Sequence, residues 1–182
     1  NNLLYKKDIT SKEIDEIEKL NTFYDIYDKA IKHISKKMRS TKEIKEYLEG
    51  HDLSSKEEEE LINKLKKIGM INDEMYVKAY VSDKIHLSSD GPNKIKNELL
   101  KNNIKEEIID EELSKIDEEE LINKVKRIIN KKVRTSKTSS YNTRQKIYLE
   151  LTNLGYSKEL IDKCYNDDRD DESFLERDFN KI

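Results

Sequence analysis

The residues able to carry out bond-making chemistry in this chain are few and far apart. His33, His51 and His86 stand alone, at separations that define no metal-binding motif. Cys164 falls on the apolar face of a helical pattern, where a packed thiol is the ordinary role. The sequence contains no glycine-rich phosphate loop and no nucleophile spaced from a base. We therefore expect no catalytic residue, no cofactor and no bound metal.

Charge is the chemistry that the sequence does offer, and it is arranged in blocks. Nine acids lie in residues 105–120, whereas residues 121–149 contain nine basic side chains and no acid. Basic side chains of this kind bind the phosphates of nucleic acid without reading its sequence. A second, smaller basic patch follows the first long helical pattern. The predicted contact residues in the two places are Lys131, Lys132, Arg134, Arg144 and Lys146, and Lys36, Lys37 and Arg39.

The overall composition limits the fold class. Charged residues make up 41% of the 182 residues and hydrophobic residues 34%, with a formal net charge of −3. Four glycines and one proline are too few turn formers for an all-β or α/β architecture. We therefore expect an all-α protein, and we expect it to be monomeric. It is also expected to be soluble and cytoplasmic, because one cysteine excludes an intrachain disulfide and no signal segment or membrane-spanning run is visible.

A repeat of about 50 residues organises these helices. Three segments share an apolar residue followed by leucine at +4 and another apolar residue at +9, the spacing of a short helix, a turn and a second helix. The triplets are Ile44/Leu48/Leu53, Ile95/Leu99/Ile104 and Ile147/Leu151/Tyr156. A longer helical pattern precedes each pair. The prediction is three tandem three-helix, helix-turn-helix-like repeats that form an elongated, curved array.

The repeats define the expected domain organisation. They occupy residues 23–73, 74–117 and 118–168, with a polar linker over residues 135–143 inside the third. Residues 1–22 are expected to form a helical extension, and residues 169–182 an acidic tail. Because the chain begins with Asn1 instead of methionine, we also expect that native residues precede it.

Several motifs of the chain occur in the same order in a known family. They are Met38-Arg39-Ser40-Thr41-Lys42-Glu43-Ile44 followed by Leu48, Ile71-Asn72-Asp73-Glu74-Met75-Tyr76, and Gly91 followed by Ile95 and Leu99. In these motifs, over residues 24–116, the chain resembles the RecX family of bacterial RecA regulators, and the third repeat extends the match to about residue 168. Asp90, which stands where the family often has lysine, departs from the pattern.

The resemblance implies a function as well as a fold. It implies a non-enzymatic protein that binds the RecA nucleoprotein filament in its groove and modulates, usually inhibits, ATP hydrolysis and strand exchange in recombination and SOS repair. DNA of either strandedness would then be bound weakly and without sequence preference. Two other classes stay open: a stand-alone helix-turn-helix DNA-binding module, and a helical scaffold without nucleic-acid contact. The acidic second helices of the repeats disfavour the helix-turn-helix module, because they would repel phosphate.

Overall fold

The structure, a computed structural model, describes residues 9–135 and 140–167. Within these ranges the chain forms helices and no strand, and no helix is long and apolar enough to cross a membrane. The helices are α1 Ser11–Ile34, α2 Thr41–Leu48, α3 Ser55–Lys67, α4 Asp73–Leu87, α5 Pro92–Lys101, α6 Glu106–Leu113, α7 Glu118–Thr135, α8 Ser140–Asn153 and α9 Lys158–Asp167. A longer helix is followed by two shorter ones three times, which confirms the all-α fold of three-helix repeats.

Polar side chains at the helix starts explain where several helices begin. Thr10, Ser40 and Ser54 each accept a hydrogen bond from the backbone amide three residues later, and the glutamate at that position bonds back to the cap amide. These reciprocal bonds satisfy amides that have no partner inside the helix. Before α7, Asp117 accepts from the Glu119 amide at 3.2 Å. The predicted helix starts are thus fixed by local chemistry.

The aligned apolar triplets form the cores of the repeats. In the second and third repeats all six triplet residues are buried, and Leu99 and Leu151 are fully enclosed. In the first repeat Ile44 and Leu48 are buried, whereas Leu53 is half-buried against their cluster. Because each i, i+4 pair lies on one face of a short helix, the same spacing produces the same packing three times.

Contacts along the chain divide it into two compact units, residues 1–76 and 77–182. In the first unit, a side-chain bridge fixes the start of α2. Asp73 accepts hydrogen bonds from the Thr41 backbone amide at 2.8 Å and from the Thr41 hydroxyl at 2.6 Å. Its neighbour Asn72 caps α4 by accepting from the Met75 amide at 3.0 Å. The Asn72-Asp73 pair of the sequence motif therefore caps two helices at once.

The structure differs from the sequence-based expectation at two boundaries. Helix α1 runs without a break through residue 22, where a separate extension was expected to end, and its first buried residue is Phe23. Helix α8 begins at Ser140, inside the predicted 135–143 linker. Residues 136–139 and the predicted acidic tail 169–182 lie outside the described ranges.

Candidate nucleic-acid interface

Part of the predicted basic run lies on the outer face of α7. Val125 and Ile129 define the buried side of this helix. At 100° per residue, Lys131 and Arg134 point away from that side, and both side chains are exposed. Arg127 lies one turn before Lys131 on the same outer line and is also exposed. The surface depression along this line is formed by Arg127, Asn130, Lys131, Arg134 and Thr135.

Arg127 is the residue that the sequence-based prediction omits. It belongs to the acid-free stretch, and its spacing carries the signal that could have identified it. Positions 127, 131 and 134 follow the i, i+4, i+7 rule for one face of a helix. We refer to Arg127, Lys131 and Arg134 as the basic stripe.

Lys132 does not belong to this stripe. Its ammonium group lies 2.7 Å from Glu150 Oε1, so the side chain turns from α7 towards α8. The sequence pattern places Val133 on the buried face, which would turn Lys132 outwards. In the structure Val133 is 39% exposed, because the buried face is centred on Val125 and Ile129. The helix is rotated accordingly, and Lys132 bridges two helices.

The two predicted basic residues of α8 lie on different flanks of the helix. Arg144 places its guanidinium carbon 4.5 Å from the centre of the Tyr165 ring of α9, a cation–π contact. Lys146 is exposed and precedes Glu150 by one turn. Because Glu150 reaches α7 through Lys132, Lys146 lies on the flank of α8 that faces α7. Lys146 thus lies on the same flank of α8 as Glu150, whereas Arg144 packs against α9.

The second predicted patch is only partly available for binding. Lys36 and Lys37 are exposed after the end of α1. Arg39, in contrast, is half-buried beside α2, with Nη1 3.4 Å from Glu43 Oε1 and with its Nε buried without a hydrogen-bond partner among the described residues. Arg39 therefore helps to hold the capping segment of α2.

Equivalent positions in the three repeats carry different charge pairs. In the first repeat Arg39 pairs with Glu43 at the start of α2. In the second repeat the equivalent i, i+4 pair has its charges reversed, because Asp90 pairs there with Lys94 at 2.6 Å. In the third repeat the equivalent residues are Asn142 and Lys146. No carboxylate within the described ranges pairs with Lys146. The third repeat thus leaves exposed a charge that the other repeats neutralise.

Lys124, although part of the basic run, has a structural role. Its Nζ donates hydrogen bonds to the backbone oxygens of Ile85 at 2.6 Å and Asp90 at 3.3 Å, near the carboxyl end of α4. Burial lowers the pKa of this amine. A cation at this place satisfies carbonyls that have no partner inside the helix. Lys124 is therefore unavailable for binding a phosphate.

A network of partly exposed charges surrounds the buried Asp90 in the second unit. The Asp90 carboxylate pairs with the ammonium groups of Lys94 at 2.6 Å and Lys84 at 3.0 Å. The Lys84 ammonium also lies 2.8 Å from the Glu98 carboxylate. The Tyr80 hydroxyl donates to Glu98 at 2.5 Å. Burial alone would raise the pKa of Asp90, but hydrogen bonds from Lys94 and Lys84 outweigh it, and the pKa lies below its usual value. The departure from the family pattern at this position is thus compensated by two lysines.

Five of the nine acids in the acidic run lie close to lysines of their own unit. Lys96 lies 2.7 Å from Glu106 and 2.6 Å from Asp110. Lys115 and Lys163 similarly pair with acids of the run: Glu111, Glu112 and Glu118. Exposed ion pairs of this kind contribute little to stability but keep a helix surface solvated. The contrast with the basic stripe is what distinguishes the stripe as a candidate contact surface.

The histidines and the cysteine have local packing partners. His33 stacks on Tyr47 with 4.1 Å between ring centres, and His51 lies 4.9 Å from the same ring. The Cys164 thiol is fully buried, with Sγ 3.9 Å from the Ile122 carbonyl oxygen. Across residues 9–135 and 140–167, no group of three or more histidine, cysteine or acidic side chains is placed to hold a metal ion.

Comparisons with known proteins place this arrangement in a family. The family profile described as the second three-helix domain of RecX matches residues 72–113. Regulatory protein RecX of Streptococcus gordonii is 30% identical over 180 residues, covering 96% of this chain and 69% of that protein. Regulatory protein RecX of Listeria monocytogenes serotype 4a is 31% identical, covering 87% of this chain and 59% of that protein.

Solved structures agree with the sequence relatives. The crystal structure of RecX from Lactobacillus salivarius superposes with a TM-score of 0.75 and 28% identity, covering 81% of this chain and 97% of that one. A second structure, described as regulatory protein RecX, gives a TM-score of 0.80 at 24% identity and supports the fold. With its repeats, its capping motifs and a curated relative aligned over nearly the whole chain, the protein belongs to the RecX family of regulatory proteins.

Proposed function

We propose that this chain is a non-enzymatic regulator of the RecA recombinase. It binds the groove of the RecA–DNA filament and limits ATP hydrolysis and strand exchange during recombination and SOS repair. In this proposal it acts as a cytoplasmic monomer, built from repeats over residues 23–73, 74–117 and 118–168. The relatives are named regulatory proteins and not enzymes, which supports the class of function. Since the chain spans 59–69% of these two relatives, the activity of a whole RecX protein is itself part of the proposal.

The basic stripe is the structural observation that supports contact with a nucleoprotein filament. The chain as a whole carries a net charge of −3. In spite of this, Arg127, Lys131 and Arg134 lie together on one exposed helix face with no carboxylate partner in the described parts of the chain. A filament that contains DNA presents phosphates, and such a surface attracts them. Protein surfaces of RecA would supply the remaining contacts.

A stand-alone helix-turn-helix module is the less favoured candidate. In that class the second helix of the pair enters the major groove. In the second and third repeats those helices are α6 and α9, and their exposed side chains include Glu106, Glu107, Asp110, Glu159 and Asp162. These carboxylates would meet phosphate at close range. A scaffold without nucleic-acid contact is the remaining alternative.

A pull-down with purified RecA tests the proposal. The chain is immobilised and RecA is added alone, with ATP, and with ATP and single-stranded DNA. We expect strong capture only in the third condition, where filaments form. Equal recovery of RecA in all three conditions would identify a binder of free RecA, and no recovery in any of them would contradict the proposed function.

A further inference from the structure

A groove at the junction of the second and third repeats is suited to one class of partner. It has a volume of about 410 Å³ and lies between α5 and the end of α8 with the turn that follows. We call it the amide groove, because Asn93, Asn97 and Asn153 line it. We propose that the amide groove binds an extended peptide segment of a partner protein through the backbone of that segment. This inference goes beyond the proposed function and involves neither the basic stripe nor nucleic acid.

Close packing of the two repeats fixes the walls of the amide groove. The backbone amide of Asn93 donates a hydrogen bond to the Gly155 carbonyl oxygen at 3.0 Å. Next to Gly155, the buried Tyr156 donates its hydroxyl hydrogen to the Ser89 carbonyl oxygen at 3.2 Å. Because both walls are held by hydrogen bonds between the repeats, a ligand would not have to order them, and that lowers the cost of binding.

The side chains of the amide groove have hydrogen-bonding capacity that the described parts of the chain do not use. Asn93, Asn97 and Asn153 are exposed, and none of their side-chain amides bonds to another described residue. Each of these side chains offers a carbonyl acceptor and an NH₂ donor. A peptide group offers the complementary donor and acceptor. One asparagine can therefore bind one peptide group of a ligand with two hydrogen bonds.

The first repeat carries an ion pair at the positions where the second repeat carries these amides. In the alignment of the repeats, Asn93 and Asn97 of α5 correspond to Lys42 and Glu46 of α2. The Lys42 ammonium lies 3.6 Å from the Glu46 carboxylate. Lysine and glutamate are better helix formers than asparagine and stabilise a helix slightly as an i, i+4 pair. The stability of α5 therefore does not explain the two amides, whereas a binding role does.

The spacing of the two asparagines on α5 fits an extended backbone. Asn93 and Asn97 lie four residues apart, which corresponds to about 6 Å of helix rise. In an extended strand, peptide groups that face the same side recur every two residues, or about every 6.6–6.8 Å. Two such peptide groups of one strand can therefore meet Asn93 and Asn97 in turn, while Asn153 bonds from the opposite wall.

The charges around the amide groove disfavour a polyanion as its ligand. Lys94 is paired with Asp90 at 2.6 Å, and the adjacent Lys158 and Glu159 carry opposite charges. The groove thus has no excess of positive charge with which to attract phosphates. In a chain with 41% charged residues, a groove lined by neutral amides favours an uncharged ligand group, such as a peptide backbone.

Selection of peptides on the whole chain tests the amide groove. Random peptides displayed on phage are selected on the parent chain, and the binders are synthesised with a fluorescent label for anisotropy measurements. Asn93→Ala/Asn97→Ala/Asn153→Ala should weaken their binding at least about tenfold, because several hydrogen bonds are lost. If the selection yields no binder, or if every selected peptide binds this variant like the parent, the peptide assignment is wrong.

Two further variants control for folding and for the removal of amides in general. Asn93→Lys/Asn97→Glu copies the ion pair of the first repeat onto α5, so it is compatible with the helix and should weaken binding as the alanine variant does. Asn21→Ala/Asn63→Ala/Asn123→Ala removes three exposed amides elsewhere and should leave binding within about twofold of the parent. Urea titration of each variant verifies that it is folded. Equal losses for the groove and control variants would contradict a role of the groove.

Methylation of one backbone nitrogen of the peptide at a time distinguishes recognition of the backbone from recognition of side chains. The largest losses of affinity should fall on two nitrogens that are two residues apart, since these would meet Asn93 and Asn97. Equal tolerance of methylation at every position would overturn the proposal. Labelled oligothymidine should bind the parent and the groove variant alike, and a groove variant that loses oligothymidine but no peptide would assign the groove to nucleic acid instead.

This proposal and the proposed function fail in different ways. Because RecA is absent from these assays, a peptide that depends on the amide groove supports the groove even if RecA is unaffected by the chain. Conversely, capture of RecA by a chain without any groove-dependent peptide contradicts the groove alone.

Discussion

Gly91 and Gly155, from the second and third repeats, meet backbone to backbone in the second unit. The Gly91 amide donates to the Leu154 carbonyl at 2.6 Å, and the Asn93 amide donates to the Gly155 carbonyl at 3.0 Å. The first amides of α5, which have no partner inside their own helix, are thus satisfied by the turn after α8. A Cβ on Gly91 would lie 2.7 Å from the Gly155 carbonyl carbon. The glycine of the family motif is therefore required by a neighbouring repeat.

Gly155→Ala should be strongly destabilising. Gly155 has a φ of +89°, and an added Cβ would lie 2.4 Å from the Lys94 backbone nitrogen. Left-handed strain and overpacking together predict a loss of about 2–5 kcal/mol in the free energy of unfolding. Gly69→Ala is the matched control, because Gly69 has a φ of +75° but no atom within 4 Å of the added Cβ. It should cost only about 1 kcal/mol in urea titrations. Equal losses for both variants would show that the close contact does not matter.

Leu99→Ala tests the repeat register. Leu99 is fully buried in the second repeat, so truncation should cost about 2–5 kcal/mol through reduced burial and the cavity left behind. Leu87, which is 82% exposed at the end of α4, provides the control. Leu87→Ala should change stability by less than about 0.5 kcal/mol. A small effect of Leu99→Ala in chemical denaturation would mean that the proposed core is incorrect.

The bridge between Thr41 and Asp73 should behave as a coupled pair. Asp73→Ala leaves the partly buried Thr41 amide and hydroxyl without their acceptor, at a cost of about 1–3 kcal/mol. Thr41→Ala removes only the hydroxyl donor. A double-mutant cycle should give a coupling of at least about 0.5 kcal/mol, as found for residues in contact. Additive effects of the two substitutions would indicate that the bridge does not form in solution.

The Asp90 network predicts a specific dependence of stability on pH. Hydrogen bonds from Lys84 and Tyr80 lower the pKa of Glu98. At Asp90, burial favours a raised pKa, but hydrogen bonds from Lys94 and Lys84 outweigh it and the pKa is lowered. Carboxylates with a depressed pKa stabilise the fold above the unfolded-state pKa of about 4, and this contribution is lost as pH falls further. Lys84 has a raised pKa, chiefly through its hydrogen bond to Glu98. Its contribution is therefore present at neutral pH and is lost only above about pH 10.5.

Asp90→Asn separates the network from general acid effects. The substitution keeps the shape of the side chain but removes its charge, so stability at pH 7 should fall and the decline below pH 4 should become shallower. Asp28→Asn, at an exposed position on α1, should leave both quantities nearly unchanged. The measurement is the free energy of unfolding in urea at several pH values from neutral to about 3. An Asp90→Asn profile parallel to that of the parent would remove the network as the cause.

The helices and their cores could be predicted from the sequence because they depend on local spacing. Ile95 and Leu99 face the same side of any helix that contains them, and Ser40 caps a helix through residues three positions away. The glutamate that engages Arg39 is four positions along, so that pairing was also visible in the sequence. These features need no knowledge of distant contacts.

The candidate interface was less predictable because distant contacts decide which charges remain exposed. Lys124 donates a hydrogen bond to the Ile85 carbonyl, about 40 positions earlier in the chain. Lys132 forms an ion pair with Glu150 on the next helix. The rotation of α7 depends on whether Val133 or Val125 packs inside, and both satisfy the apolar pattern. Spacing alone could have added Arg127, since it lies on the same helix line as Lys131.

The proposed regulation of RecA is tested by measuring RecA-catalysed ATP hydrolysis on single-stranded DNA. The chain is titrated into preformed filaments at about 50 mM salt, because contacts with phosphates are stronger at low salt concentration. We expect hydrolysis to fall as the chain saturates the filaments. We also expect that Arg127→Glu/Lys131→Glu/Arg134→Glu inhibits only at much higher concentration, whereas Lys29→Glu/Lys66→Glu/Lys67→Glu inhibits like the parent. Hydrolysis that stays unchanged at saturating amounts of the parent chain would show that the chain does not limit ATP hydrolysis by RecA.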